Sequence, residues 1–393
     1  MRPTFSIDNR FRLFFALQFA GIGIFFPYIA LYLSSIDLSG GQIGLLLALV
    51  PLIGFLVQPL WGLVSDVYHL HRFALVFACL SVSVVMVGFA MTQNFWILLS
   101  LTILHAVLKA PIGILVTALA LEHLAREPTQ TGFGSLRLWG SIGFAVASFG
   151  IGAFFVEDAI WWILPLYALS NFALAAVALT IPDAEIHGQV NWKEGFFLLH
   201  RDRVLTRLLL GLLLIGVTLG IVNNYLSVYL TDIGAAGWII GTALAISALV
   251  EVPLMARVPA FVGRWGIRLV LVAGVAVLPV RYLLYSVIKE PILVLPTQVL
   301  HSIAMMSLLV VGVLYMDRLL ASKWRASGQS LYAASLHSLG PSIGLYTASI
   351  IYQQAGIEVV WLMSAAVALL GTTILAYIVY RQPASQPQQE VIT

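Results

Sequence analysis

Long apolar runs set the pattern of this chain. Leu45 to Val57 is apolar on every side of a helix and shows no alternation with polar residues. Strands of a membrane barrel would alternate, so the runs predict helices. A helix that crosses a bilayer needs about 20 mainly apolar residues. With Gly, Pro and charge clusters taken as breaks, the pattern predicts twelve, near 11–33, 41–65, 73–92, 95–121, 136–156, 159–181, 205–231, 237–262, 267–288, 291–320, 326–353 and 356–380. The first run is too long for the core of a signal peptide and reads as a retained helix. The longest polar stretch, 182–204, divides an N-terminal bundle (1–181) from a C-terminal bundle (205–381), and 382–393 reads as a disordered tail.

Composition confirms the solvent. The 393 residues are 61% hydrophobic and only 9% Asp, Glu, Lys or Arg. A water-soluble domain carries about 25% charged residues, so a soluble enzyme, a disordered chain and a nucleic-acid binder are excluded. The one cysteine, Cys79, sits in an apolar run, which leaves no disulfide framework and no cysteine metal site. The chain is expected to work as a monomer in a bacterial inner membrane, without cofactor or nucleic acid.

Positive charges mark the cytoplasmic side of a membrane protein. With the N-terminus placed inside, 17 of the 20 Lys and Arg residues fall in or beside inside segments. Lys289 lies outside, and Lys109 and Arg281 lie within helices. The outside loops hold acids instead, among them Asp37, Glu157, Asp158 and Asp232. Both termini are therefore expected in the cytoplasm.

The two halves repeat each other. Residues 23–44 (GIFFPYIALYLSSIDLSGGQIG) align with 220–241 (GIVNNYLSVYLTDIGAAGWIIG) at an offset of 197. Gly23, Tyr28, Tyr32 and Gly44 meet Gly220, Tyr225, Tyr229 and Gly241. Chance apolar matching would not align tyrosines and glycines as well. Parallel six-helix repeats resemble the major facilitator fold, in which the substrate site lies near mid-membrane between the halves and the halves rock to expose it. The loop after the second helix, with Gly62, Asp66 and Arg72, is similar to that superfamily's G-x-x-x-D-x-x-G-R signature. His69 and Leu70 replace its Gly and Arg, and Arg72 comes two residues late.

Ionisable groups inside a membrane cost roughly 2.5–3.5 kcal/mol each on insertion scales, so the few present are functional candidates. His105 and Lys109 are four apart and share a helical face. Glu251, Arg281, His301 and His337 fall in the C-terminal half. An acid, a fixed cation and two groups that titrate near neutrality are what a proton relay requires. Each also has a plainer reading: Glu251 with Arg281 as a structural ion pair, the histidines as carbonyl hydrogen-bond donors, Arg137 and Arg257 as residues reaching for the interface. The amides Gln18, Gln58, Asn223 and Asn224 add neutral polarity; Gln18 and Gln58 also read as glue between helices.

The motif GFGSLRLWGSIGF at 132–144 resembles the fifth-helix entry of the oligosaccharide:proton symporter and phenylpropionate permease-like carriers, the lactose permease group. The resemblance implies that Arg137 binds substrate and that Phe144 is a stacking platform. Arg281 and His301 stand 20 apart, as do that group's ninth-helix arginine and tenth-helix histidine, and Glu251 stands near its coupling glutamate. Departures matter too. Thr117 replaces the carboxylate that pairs with the arginine, Ala304 replaces an acid three residues after the histidine, and Asn223 and Asn224 replace aspartates. Galactoside transport is therefore not expected.

The sequence reading is a secondary transporter that imports a small polar or anionic organic solute (organic acid, sugar or nucleoside) with protons. Substrate-binding candidates are Arg137, Lys109, His105, Phe144, Asn223, Asn224 and Gln18. Proton-coupling candidates are Glu251, Arg281, His301 and His337, and loop residues Gly62, Asp66 and Arg72 would serve the conformational change. Loss of acids with gain of Lys109 favours an organic anion. The alternative is a proton-driven efflux carrier for amphipathic compounds. An enzyme is not expected, because HExxH and Walker motifs are absent.

Overall fold

The computed structural model describes residues 6–68, 70–126, 132–183, 202–320 and 324–381. They form twelve long helical segments: α1 (Ile7–Ser35), α2 (Gly40–Tyr68), α3 (His71–Ala90), α4 (Phe95–Arg126), α5 (Phe133–Phe155), α6 (Ile160–Ala178), α7 (Arg203–Asp232), α8 (Gly237–Ala256), α9 (Ile267–Val287), α10 (Pro291–Leu319), α11 (residues 325–355) and α12 (Ile357–Arg381). Eleven of these are long and apolar enough to cross a membrane. The other, α11, opens on the polar run Arg-Ala-Ser-Gly-Gln-Ser. Most of the expected central loop 182–204, and the tail 382–393, lie outside the described residues.

Helix ends follow the predicted pattern within a few residues except at α4, which runs past 121 to Arg126, and at α8, which was expected to run to 262. It stops at Ala256, and Val258–Trp265 forms a separate short helix. Pro259 explains the break, because its ring collides with the carbonyl four residues back and it has no N–H to donate. Arg257 consequently sits in the turn and is exposed. Proline also interrupts α1 around Pro27, between Phe25 and Ile29, and α4 at Pro111, between Lys109 and Ile112. Two further irregularities are π-helical turns, Ser307–Gly312 in α10 and Ser335–Leu339 in α11. The Tyr332 hydroxyl, one turn before the second of these, donates to the Leu308 carbonyl in the first at 2.6 Å and ties α11 to α10.

In the N-terminal half, α1 packs on α5 and α6, α2 on α4, and α3 on α4 and α6. In the C-terminal half, α7 packs on α11 and α12, α8 on α10, and α9 on α10 and α12. The second arrangement is the first advanced by six helices, so the halves are two bundles of one plan. They meet along two seams, α5 with α8 and α2 with α11.

The repeat-matched residues build these contacts. A Cβ on Gly23 would lie 2.8 Å from the Phe144 carbonyl oxygen on α5, and one on Gly220 would lie 2.5 Å from Pro341 Cα on α11. Tyr28 donates to the Ser148 carbonyl at 2.6 Å, while Tyr225 bonds Ser349 Oγ. Each first helix is thus tied to the fifth helix of its own half. Between the halves, Gly152 crosses Gly241 so closely that a Cβ on Gly152 would lie 2.5 Å from the Gly241 nitrogen. Gly44 makes the equivalent approach to Ser349. Small residues allow such crossings in lipid.

Ile7 and Arg381 mark the proximal end of the bundle, because an even number of helices runs back and forth between them. The seams close at the opposite, distal end. There Gly40 N–H donates to Gln353 Oε1 at 2.8 Å, Gly237 N–H donates to Glu157 Oε1 at 2.8 Å, and Ser227 Oγ donates to the Pro27 carbonyl. Toward the proximal end, Gly54 and Gly62 of α2 face open space.

Candidate functional site

Below the distal closure lies a cavity of about 440 Å³ between the halves. The helix breaks shape it. The interruption of α4 at Ala110–Pro111 ends a helical turn at Lys109, and the interruption of α1 sets Phe25 and Phe26 beside it. Lys109 Nζ lies 3.6 Å from the centre of the Phe26 ring. A cation over a ring face is attracted by the ring's quadrupole, and more strongly when water is excluded. One turn earlier, His105 is 2% exposed. Its Nε2 stands 3.3 Å from the Tyr167 hydroxyl, and Tyr167 stacks on Phe25 with ring centres 4.6 Å apart. Asn171 braces this group by donating to the Tyr167 carbonyl at 2.9 Å.

Amides line the rest of the cavity. Gln18 and Gln58 come from the N-terminal half, Asn223 and Asn224 from the C-terminal half. Gln18 Oε1 is buried without a hydrogen-bond partner. Asn224 donates to the Gly220 carbonyl at 3.1 Å, whereas Asn223 is exposed on the cavity. His337 enters from the π-helical turn of α11, where the widened helix turns its side chain to the cavity. Of the residues expected to bind substrate, Gln18, His105, Lys109, Asn223 and Asn224 are therefore gathered here.

Arg137 and Phe144 are not among the lining residues. Phe144 packs against the hydrophobic core where α5 crosses α1, so it offers no stacking face to the cavity. The close approach of Gly23 to its backbone places it there. Arg137 lies flat on Phe19, its guanidinium carbon 3.8 Å from the ring centre. Its charge acts across the α5–α8 seam on Glu251.

The plainer reading of Glu251 and Arg281 as a structural ion pair does not hold, because Arg281 bonds elsewhere. Arg281, 1% exposed, spreads its guanidinium over three neutral acceptors: Tyr285 Oη at 2.8 Å, His301 Nδ1 at 2.8 Å and Gln298 Oε1 at 3.0 Å. Gln298 and Thr297 both donate to the same Tyr285 oxygen, at 3.0 and 3.4 Å. The four proton-coupling candidates thus fall into three places: Glu251 at the seam, Arg281 with His301 between α9 and α10, and His337 in the cavity.

Of the loop residues, Arg72 is the second residue of α3 and its backbone N–H donates to Asp183 Oδ1 at 3.2 Å. Gly62 faces open space, and the Asp66 side chain lies outside the described residues. Sequence reasoning missed Phe26, Tyr167 and Asn171 as cavity residues. An asparagine at the centre of the sixth apolar run was the available signal for Asn171. Among the described residues no cluster of His, Cys, Asp or Glu could hold a metal ion.

A family model described as the MFS_1 like family matches residues 9–363. The chain belongs to the MFS_1 like family. As a major facilitator protein it is a transporter and not an enzyme. It is 27% identical over 387 residues to the maltose permease of Geobacillus stearothermophilus, covering 95% of this chain and 94% of that one. It is 21% identical over 407 residues to the xanthosine permease of Escherichia coli K12, covering 95% and 96%. The crystal structure of the nucleoside transporter NupG superposes with a TM-score of 0.84 at 17% identity, covering 96% of this chain and 100% of that one. A bacterial homologue of the lysosomal transporter Spinster, solved facing inward, superposes at 0.71 with 12% identity over 97% and 98% of the two chains. These likenesses establish the twelve-helix major facilitator fold.

Proposed function

We propose that this secondary transporter carries a small hydroxylated solute with a planar or ring-shaped body, of the nucleoside or sugar class, inward with protons by alternating access. The observation that carries the reading is the cavity itself. Four amides from both halves, Gln18, Gln58, Asn223 and Asn224, surround the aromatic group Phe25, Phe26 and Tyr167. Amides both donate and accept, which suits hydroxyls, and ring faces suit the apolar side of a sugar or base. The names of the relatives, a maltose and a xanthosine permease, point the same way. The charge asymmetry of the loops supports cytoplasmic termini, so the shut distal end would face outward and the cavity inward.

In this reading Lys109 orients a ring oxygen or a delocalised negative charge, because Phe26 already covers one side of its ammonium. Glu251 carries the coupled proton, and Arg137 faces its charge across the seam. Lys109, a cation in a cavity whose lining includes no Asp or Glu, also favours a second reading, a small organic acid.

Uptake into proteoliposomes decides among these. Labelled nucleosides, disaccharides and small carboxylic acids are offered with and without an inward proton gradient. The expected result is accumulation of a hydroxylated solute, stimulated by the gradient and lowered about tenfold or more by Lys109→Ala. Accumulation of carboxylic acids alone would establish the second reading. Gradient-driven release in place of uptake would make the protein an efflux carrier.

A further inference from the structure

The distal gate contains two hydrogen bonds that the internal repeat relates to each other. At the α5–α8 seam, the N–H of Gly237, the first residue of α8, donates to Glu157 Oε1 at 2.8 Å. At the α2–α11 seam, the N–H of Gly40, the first residue of α2, donates to Gln353 Oε1 at 2.8 Å. Gly40 and Gly237 are 197 residues apart, the offset of the repeat. Each bond runs from the start of the second helix of one half to the end of the fifth helix of the other. Glycine is needed at both donors: a Cβ on Gly237 would lie 2.2 Å from the Gly152 carbonyl oxygen, and one on Gly40 would lie 2.5 Å from that of Ser349.

The two bonds share a geometry and differ in charge. Gln353 offers a neutral amide oxygen, Glu157 a carboxylate. The first N–H groups of a helix have no partner within it and carry the positive end of its dipole. A carboxylate there makes a charge-assisted bond, roughly twice as strong as a neutral one. The depression beside Glu157 is lined by Asp158 and Tyr32, with no Lys or Arg among its described residues, so the start of α8 is the positive group that Glu157 meets.

We propose that Glu157 is a gate residue, the stronger of two repeat-related latches, which biases the transporter toward its distally closed state, with Gln353 as the uncharged counterpart. The inference rests on the alternating-access reading above. It gives the opening an order: the α2–α11 seam parts first and the α5–α8 seam last. Arg137 and Glu251 lie on that same α5–α8 seam, so a proton step at Glu251 acts on the helix pair that the latch holds.

Spin-label distances in the full-length protein in nanodiscs test this. One pair of labels replaces exposed Phe154 and Trp238 beside the α5–α8 seam. The other replaces Gly41, where a Cβ meets open space, and exposed Gln354 beside α2–α11. Glu157→Gln should raise the distally open fraction about threefold and Glu157→Ala about tenfold, while Gln353→Ala changes it less than twofold. Gln353→Glu should lower it. Thermal unfolding in detergent should stay unchanged in all four variants, which separates a latch from general destabilisation. Equal shifts for Glu157→Ala and Gln353→Ala, or none for Glu157→Ala, would overturn the proposal. Distances that respond to a change of pH but not to these variants would remove the latch alone; distances that respond to nothing would remove alternating access with it.

Discussion

Arg281 is a buried cation that works through geometry. Taking a charge from water is expensive, and the cost falls only if every donor finds a partner. Tyr285, His301 and Gln298 receive it from three directions. The contact with His301 is to Nδ1 at 2.8 Å, so Nδ1 accepts and the ring proton sits on Nε2. His301 is thus held as a donor, and protonating it would place two cations together. Only a planar fork reaches all three acceptors. Arg281→Lys should therefore lower stability by about 1–3 kcal/mol despite keeping the charge, as acceptors lose their donor. Thermal unfolding in detergent checks this, and a wild-type melting temperature would show that charge alone matters there. The Arg281–His301 relation was legible in the sequence, because helix spacing and family pattern both expose it. The partner of Glu251 was not. Which face of α8 turns to α5 is decided by the glycine crossing at Gly152 and Gly241, between segments some 90 residues apart.

Among the helices, what was legible follows from local chemistry. Apolar run length marked the twelve segments, and proline marked most of their interruptions. The tyrosines and glycines of the repeat announced that two contacts occur twice, though not which contacts. The π-helical turns at Ser307–Gly312 and Ser335–Leu339 left no such mark, since the extra residue in a turn is fixed by packing between α10 and α11. His337 could therefore be named as a candidate while its place in the cavity could not. Glycines divide in the same manner. Gly152 and Gly150 lie two apart on α5, and only the first is crossed by another helix. A methyl added at Gly152 must push α8 away, at a cost of about 1–3 kcal/mol to the closed seam. Gly152→Ala should raise distal accessibility about tenfold, by cysteine labelling from the outer side, and reduce uptake. Gly150→Ala meets open space and should leave both unchanged. Similar behaviour of the two variants would mean that the α5–α8 crossing does not limit opening.

At the scale of the whole molecule, charge is sparse and its placement is asymmetric. The cavity holds Lys109 with no carboxylate among its lining residues, and Arg281 is satisfied by neutral groups. Within the membrane-spanning helices, Glu251 faces Arg137 across the α5–α8 seam, so its protonation state bears on how the halves meet below the Glu157 latch. When Glu251 is ionised, attraction to Arg137 favours the closed seam; when it is protonated, the attraction falls and the seam is free to part. A ligand or proton moves a two-state equilibrium only as far as it favours one state over the other, and a pair that spans the two moving bodies supplies such a difference. Glu251→Gln mimics the protonated state permanently. It should abolish accumulation driven by a proton gradient while exchange of internal for external solute continues, because exchange needs the cavity and the rocking but no net proton movement. Arg137→Gln should impair both, since it leaves Glu251 unpaired at the seam. Parallel measurements of gradient-driven uptake and counterflow in proteoliposomes separate these cases. Full accumulation by Glu251→Gln would place coupling elsewhere, with His337 in the cavity the next residue to test.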